Sequence, residues 1–207
     1  MSEHRRGLQI SRRSWLLAGL AGPLLRARTA GHLTASFDGD DLHVTAPQLH
    51  FLSGKSLSRL QDGAAVTFLS QLTIFGDNRG TVWRHAHERL TVSYDVWEEK
   101  FSVVLGSANR RVSRLTATAA EAWCLDNLAI SALGLSPERP FWLRLELRTA
   151  DPKDLSTLMG DPGISISGLI EIFSRKPGAG DEPWMLNAGP LRLSGLPRTL
   201  GHGTRKG

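Results

Sequence analysis

A chain of 207 residues, 41% hydrophobic and 22% charged, is long enough for one domain with a sizeable core and too apolar to be disordered throughout. Its formal charge of +5 invites a nucleic-acid reading, but six arginines (Arg5, Arg6, Arg12, Arg13, Arg26 and Arg28) stand in residues 1–30 against Glu3 alone, so residues 31–207 sum to zero. A neutral body carries no electrostatic footprint for phosphate backbones or anionic lipid, and no nucleic-acid partner is expected.

The basic start has its own explanation. Ser11-Arg12-Arg13-Ser14-Trp15-Leu16-Leu17 resembles the twin-arginine export signal, with Trp15 where that pattern usually has Phe. The apolar run Trp15–Leu25 that follows is 11 residues long, well short of the ~20 that span a bilayer. The order of basic, apolar and small residues is that of a removed secretory peptide. Ala30 fits the last position before a cut, whereas Arg28 stands where a small residue is preferred, so retention as an N-terminal anchor is the alternative. The expected organisation is a signal over 1–30, a single β-rich domain over 31–197 and a disordered tail over 198–207, in a periplasmic or extracellular protein that meets the membrane only through an uncleaved signal.

Along the body, Leu33, Ala35 and Phe37 alternate up to Asp38-Gly39-Asp40-Asp41, and Leu42, Val44 and Ala46 alternate beyond it. That pattern predicts a hairpin, because glycine takes the positive φ of a tight turn. Its three carboxylates do not have the ligand spacing of a calcium loop. Pro47 ends the second strand, and Lys55–Gln61 reads as a short helix with Gly63 past its end. Gly54-Lys55-Ser56 has the tail of a phosphate-binding loop, but Leu49 stands where the motif needs its first glycine.

Ala65–Phe75, Val82–Val96 and Phe101–Leu105 form the most regular part, with residues such as Leu90, Val92, Tyr94 and Val96 at period two. They predict a three-stranded antiparallel meander. In a regular strand Trp83 and Trp97 share the face opposite Leu90, which predicts apolar cover on both faces. Ser107–Arg114 reads as a polar basic connection. Thr118 and Glu121 have capping-box spacing, and a helix is expected from Ala119 to about Leu128. Within it Cys124, the chain's one cysteine, forms no intramolecular disulfide and reads as a buried hydrophobe. Phe141–Arg148 is a strand with Phe141, Leu143, Leu145 and Leu147 inward. Asp151–Gly163 reads as loop with a helical turn at Asp154–Met159. Ile166, Leu169, Ile170 and Phe173 favour a helix over Ser167–Ser174, with a strand at Ile164–Gly168 left open. Pro177–Pro183 is a glycine-rich loop and Pro190–Leu196 a short edge strand.

His85 and His87, at i and i+2 on a strand, project from one face and would serve as metal ligands if a third converged. Glu88 points away from them, and Arg84 and Arg89 oppose a cation. Gly163-Ile164-Ser165-Ile166-Ser167-Gly168 departs from a nucleophile elbow. Glu98 and Glu99 are consecutive at a turn, unlike the facing acids of a glycosidase. No catalytic residue and no cofactor is assigned.

The short helix before Gly63, the strand with Tyr94-Asp95-Val96-Trp97, Phe101 and the helix–strand pair around Ala119–Arg148 carry a resemblance. Over Leu33–Arg148 the chain resembles an uncharacterised family of exported bacterial proteins, a domain of unknown function. The resemblance implies an envelope location and a β-rich fold, and brings no catalytic residues with it. The expected fold is therefore mainly β, an antiparallel sandwich or curved sheet with two to three packed helices, α+β being the alternative. The expected role is non-catalytic binding of an envelope protein or lipid, by strand addition at a sheet edge. A metal-binding protein or metal-dependent enzyme using His85 and His87 is the second expectation.

Overall fold

The computed structural model describes residues 31–76, 80–150, 171–174 and 183–198. The fold is mainly β, with two antiparallel sheets and helices packed on them. Strands β1 (Thr34–Asp38), β2 (Asp41–Thr45) and β7 (Ala129–Ser131) form a small sheet in the order β1-β2-β7. The large sheet runs β6-β5-β4-β3-β8-β9, from β3 (Val66–Phe75), β4 (Val82–Asp95), β5 (Lys100–Leu105), β6 (Arg111–Leu115), β8 (Phe141–Thr149) and β9 (Trp184–Leu191). Helices α1 (Gly54–Gln61) and α2 (Ala117–Asp126) lie with the small sheet on one face of the large one. Among the described residues no helix is long and apolar enough to cross a membrane.

Local chemistry accounts for most of these elements. The β1–β2 hairpin closes on a two-residue turn in which Gly39 has φ of 60°, the conformation a Cβ would oppose. The meander forms as expected: β3 pairs with β4 from Val66↔Val92 onward, and β4 with β5 from Leu90↔Leu105 to Asp95↔Lys100. The alternating residues Val66, Phe68, Leu72, Ile74, Leu90, Val92, Phe101, Val103, Leu143, Leu145 and Leu147 all enter one core with Leu42, Val44 and Ile130 of the small sheet. Phe51 makes edge contacts with Phe68 and Trp184, at centroid separations of 4.9 and 6.4 Å. Burial of these side chains, each favourable by about 1.5–3 kcal/mol, is what holds the two sheets together.

Several expectations are corrected. Strand β4 stops at Asp95 rather than Val96, because Asp95 Oδ1 accepts from the backbone N–H of Trp97 and Glu98 and turns the chain. Val96 is therefore 51% exposed and Trp97 93% exposed, not packed. Trp83 does not share a face with Trp97 either. Ile74 pairs with Arg84 and Phe75 with Val82, so Trp83 is the extra residue of a bulge and turns onto the core face with Ala86. Cover on both faces does exist, but over β3: Leu69 packs on the opposite face with Ala150, Ile172 and Phe173.

The expected connection Ser107–Arg114 contains strand β6, whose bulge puts Val112 and Leu115 on one face and hides the alternation. Its charges are those of a protected edge strand. Helix α2 starts at Ala117 on an N-cap formed by Thr116, whose Oγ1 accepts from the N–H of Ala119, so Thr118 and Glu121 make no capping box. It ends at Asp126, short of Leu128. The C-terminal edge strand is Trp184–Leu191 rather than Pro190–Leu196, with a 3-10 turn at Leu193–Gly195. Residues 171–174 are helical, as expected for the end of Ser167–Ser174. The signal, the Asp154–Met159 turn, most of the Pro177–Pro183 loop and nearly all of the tail lie outside the described residues.

Candidate functional site

His85 and His87 do share the outer face of the large sheet, with ring centroids 5.4 Å apart. They lie opposite Thr73 and Gln71 of β3. Phe173 stands 5.6 Å from the His87 ring. Burial, and secondarily the charge of His85, lower the pKa of His87 below 6.5. Beyond β3, Arg148 Nε donates to Glu146 Oε1 at 2.6 Å, and its two terminal nitrogens donate to the carbonyls of Ile172 and Phe173 at 2.9 and 3.0 Å. This is how the 171–174 turn is fastened over the sheet. Among the described residues no three His, Cys, Asp or Glu side chains are placed to hold a metal ion. Among the described residues the pair has no third ligand, which a metal reading requires.

What the sequence did not reveal is the backbone on which these histidines sit. Strand β4 has 14 residues and β5 only six, and β5 covers β4 from Leu90 to Asp95. The ladder ends where Gly106 N–H donates to the Arg89 carbonyl at 2.8 Å. Backbone groups alternate sides along an antiparallel strand, so the N–H and C=O of His87 and His85 point to the same side as those of Arg89. Among the described residues no strand pairs with β4 there. The result, among the described residues, is a step in the sheet: Val82–His87 is an internal strand on its β3 side and an open edge on the other.

The step is finished rather than frayed. The Glu88 carboxylate accepts from Arg89 N–H at 2.9 Å, from Ser107 N–H at 3.1 Å, and from the Ser107 hydroxyl. It thereby satisfies the backbone donors where the β4–β5 ladder stops. Beneath the open edge lies a groove of about 290 Å³ between Ser70, Leu72 and Ala86 on one side and Ser107, Asn127 and Ala129 on the other. Asn127 is fixed in its wall by Arg110 Nη1, which donates to Asn127 Oδ1 at 2.8 Å, and by its own donation to the Trp123 carbonyl at 2.7 Å.

A second polar feature lies across the core. Glu121, 4% exposed, accepts from Leu52 N–H at 2.7 Å and from His50 Nδ1 at 2.9 Å. A carboxylate only accepts, so the ring donates. The pair borders a mainly apolar cleft of about 350 Å³ between Ala46–Leu49 and α2. Its structural work is plain: it ties the loop after β2 to α2. Cys124, one helical turn on, is buried, and its thiol is pushed up to about 12 by burial and then by Glu121. A thiol so held is no nucleophile. His32 and His43 stand apart from His85 and His87, and Glu98 lies 3.2 Å from Arg114 at the exposed turn. Arg12, Arg13, Ser165 and Ser167 lie outside the described residues. Comparison with family models, with curated proteins and with solved structures finds no match.

Proposed function

We propose that the chain is an exported envelope module, non-catalytic, that binds an extended segment of another envelope protein by adding it as a strand beside Val82–His87. The single observation that carries this reading is the open edge inside the large sheet, where β5 ends and the backbone groups of His85 and His87 face outward. Main-chain hydrogen bonds supply affinity in such pairing, and a groove for alternate side chains supplies selectivity. The groove beneath Ala86 is such a receptor. Both true edges of the sheet are guarded: β6 by Arg111 and Arg114, β9 by Pro190. Val82–His87 has no proline, and its one arginine, Arg84, is turned to the core face and donates to the Leu133 carbonyl. The export part rests on Arg12 and Arg13 and on the resemblance of Leu33–Arg148 to exported bacterial proteins.

Photo-crosslinking residues placed singly at His85 and His87 test the pairing in the full chain. Strand addition puts the two crosslinks on one partner segment, two residues apart, while the same probe at Trp97 gives none. Crosslinks scattered over unrelated segments, or converging on one partner residue, contradict it. Export is tested by Arg12→Lys/Arg13→Lys, which is expected to hold the chain in the cytoplasm.

A further inference from the structure

The charges around the step say what kind of strand it accepts. On the outer face beside the step, β4 presents the Arg89 guanidinium and the donor-capable rings of His85 and His87. Its one acid nearby, Glu88, is engaged by Ser107 and by the Arg89 N–H, and Arg84 is turned to the core face, where it donates to the Leu133 carbonyl. Arg110 stands at the far wall of the groove through Asn127. We infer that the added strand is acidic, with carboxylates opposite His85 and His87 on the outer face and small polar side chains facing the groove beneath Ala86. The inference rests on the strand-addition reading above.

The geometry behind it is that of cross-strand neighbours. A residue paired directly with His85 or His87 brings its side chain within about 4.5–5.5 Å at Cβ, on the same face. A carboxylate there accepts from a ring N–H and lies one diagonal step from Arg89. A lysine at the same position meets Arg89 with like charge, which makes the step self-selecting as well as attractive. On the inner face Ser70, Ser107 and Asn127 stand among Leu72, Ala86 and Ala129. They offer hydroxyls and an amide to a small polar side chain that hydrogen-bonds.

The test uses the unmodified protein and three fluorescein-labelled decapeptides of alternating residues. Serine fills the inner positions in all three; glutamate, glutamine or lysine fills the outer ones. Anisotropy titration at pH 7 is expected to show the glutamate peptide binding about fivefold or more tightly than the glutamine peptide, with the lysine peptide weakest. The preference should shrink at 0.5 M salt, where charge interactions are screened within a few ångströms. In Arg89→Gln, checked for an unchanged thermal transition, the glutamate and glutamine peptides should bind alike. Equal binding of all three peptides to the unmodified protein, or a preference for lysine, overturns the acidic partner and leaves strand addition standing. No binding by any of them overturns both.

Discussion

Glu121 is the residue whose removal should be felt most. Its carboxylate satisfies the Leu52 N–H from a nearly sealed position. Glu121→Ala leaves that buried donor without a partner, and a loss of about 1–3 kcal/mol is expected in chemical denaturation. His50→Ala, on a ring that is 60% exposed, should cost well under half of that. Cys124 gives a sharper readout: with its pKa at about 12 and no exposure, it should be inert to a thiol reagent in the folded chain and react fully once unfolded. His87 sets a pH dependence. Burial and His85 depress its folded pKa below 6.5, so above that value the group is neutral in both states and contributes no pH dependence. As pH falls below 6.5 the unfolded chain takes up the proton first, and stability declines until folded His87 also titrates. His87→Gln should flatten that part of the curve, as followed by thermal melts across pH 4–7.

The elements show where alternation can be read and where it fails. The hairpin at Gly39, the β3–β4–β5 meander and the inward face of β8 were legible, because each keeps a strict period of two with polar turns between. The elements that escaped do not keep it. Strand β6 is broken by a bulge beside Phe101–Val103, β7 has three residues, and β9 ends in a register shift opposite Phe141–Leu143. In β4 the bulge at Trp83 inverts the parity before it, so Trp83 and Trp97 share a face in a regular period-two pattern but not in the folded strand. Gly76 makes that bulge fit: a Cβ there would sit 2.0 Å from the Trp83 ring. Gly76→Ala should therefore destabilise by about 1–3 kcal/mol as overpacking against the Trp83 indole. Loss of the Trp83 near-ultraviolet dichroism band should accompany it. Alanine substitution without either change would mean that the indole does not lie on Gly76.

At the scale of the molecule, a three-stranded sheet and two helices cover one face of a six-stranded sheet, and Arg148 fastens a helical turn over part of the other. His85 and His87 are conspicuous as side chains, whereas the feature they mark is the backbone beneath them. Sequence could not show this, since an open edge depends on where the neighbouring strand stops, and the stop at Gly106 is set by Glu88 and Ser107 across 19 residues of chain. The central claim is that Val82–His87 is an edge awaiting a partner. Amide hydrogen exchange measures it directly, because an edge N–H opens to water without global unfolding. In the free chain the amides of His85 and His87 should exchange quickly while those of Arg84, Ala86 and Leu90, donated toward β3, are slow. On addition of the glutamate–serine decapeptide the two histidine amides should become slow as well. Protection of His85 and His87 in the free chain equal to that of Ala86 would contradict the account.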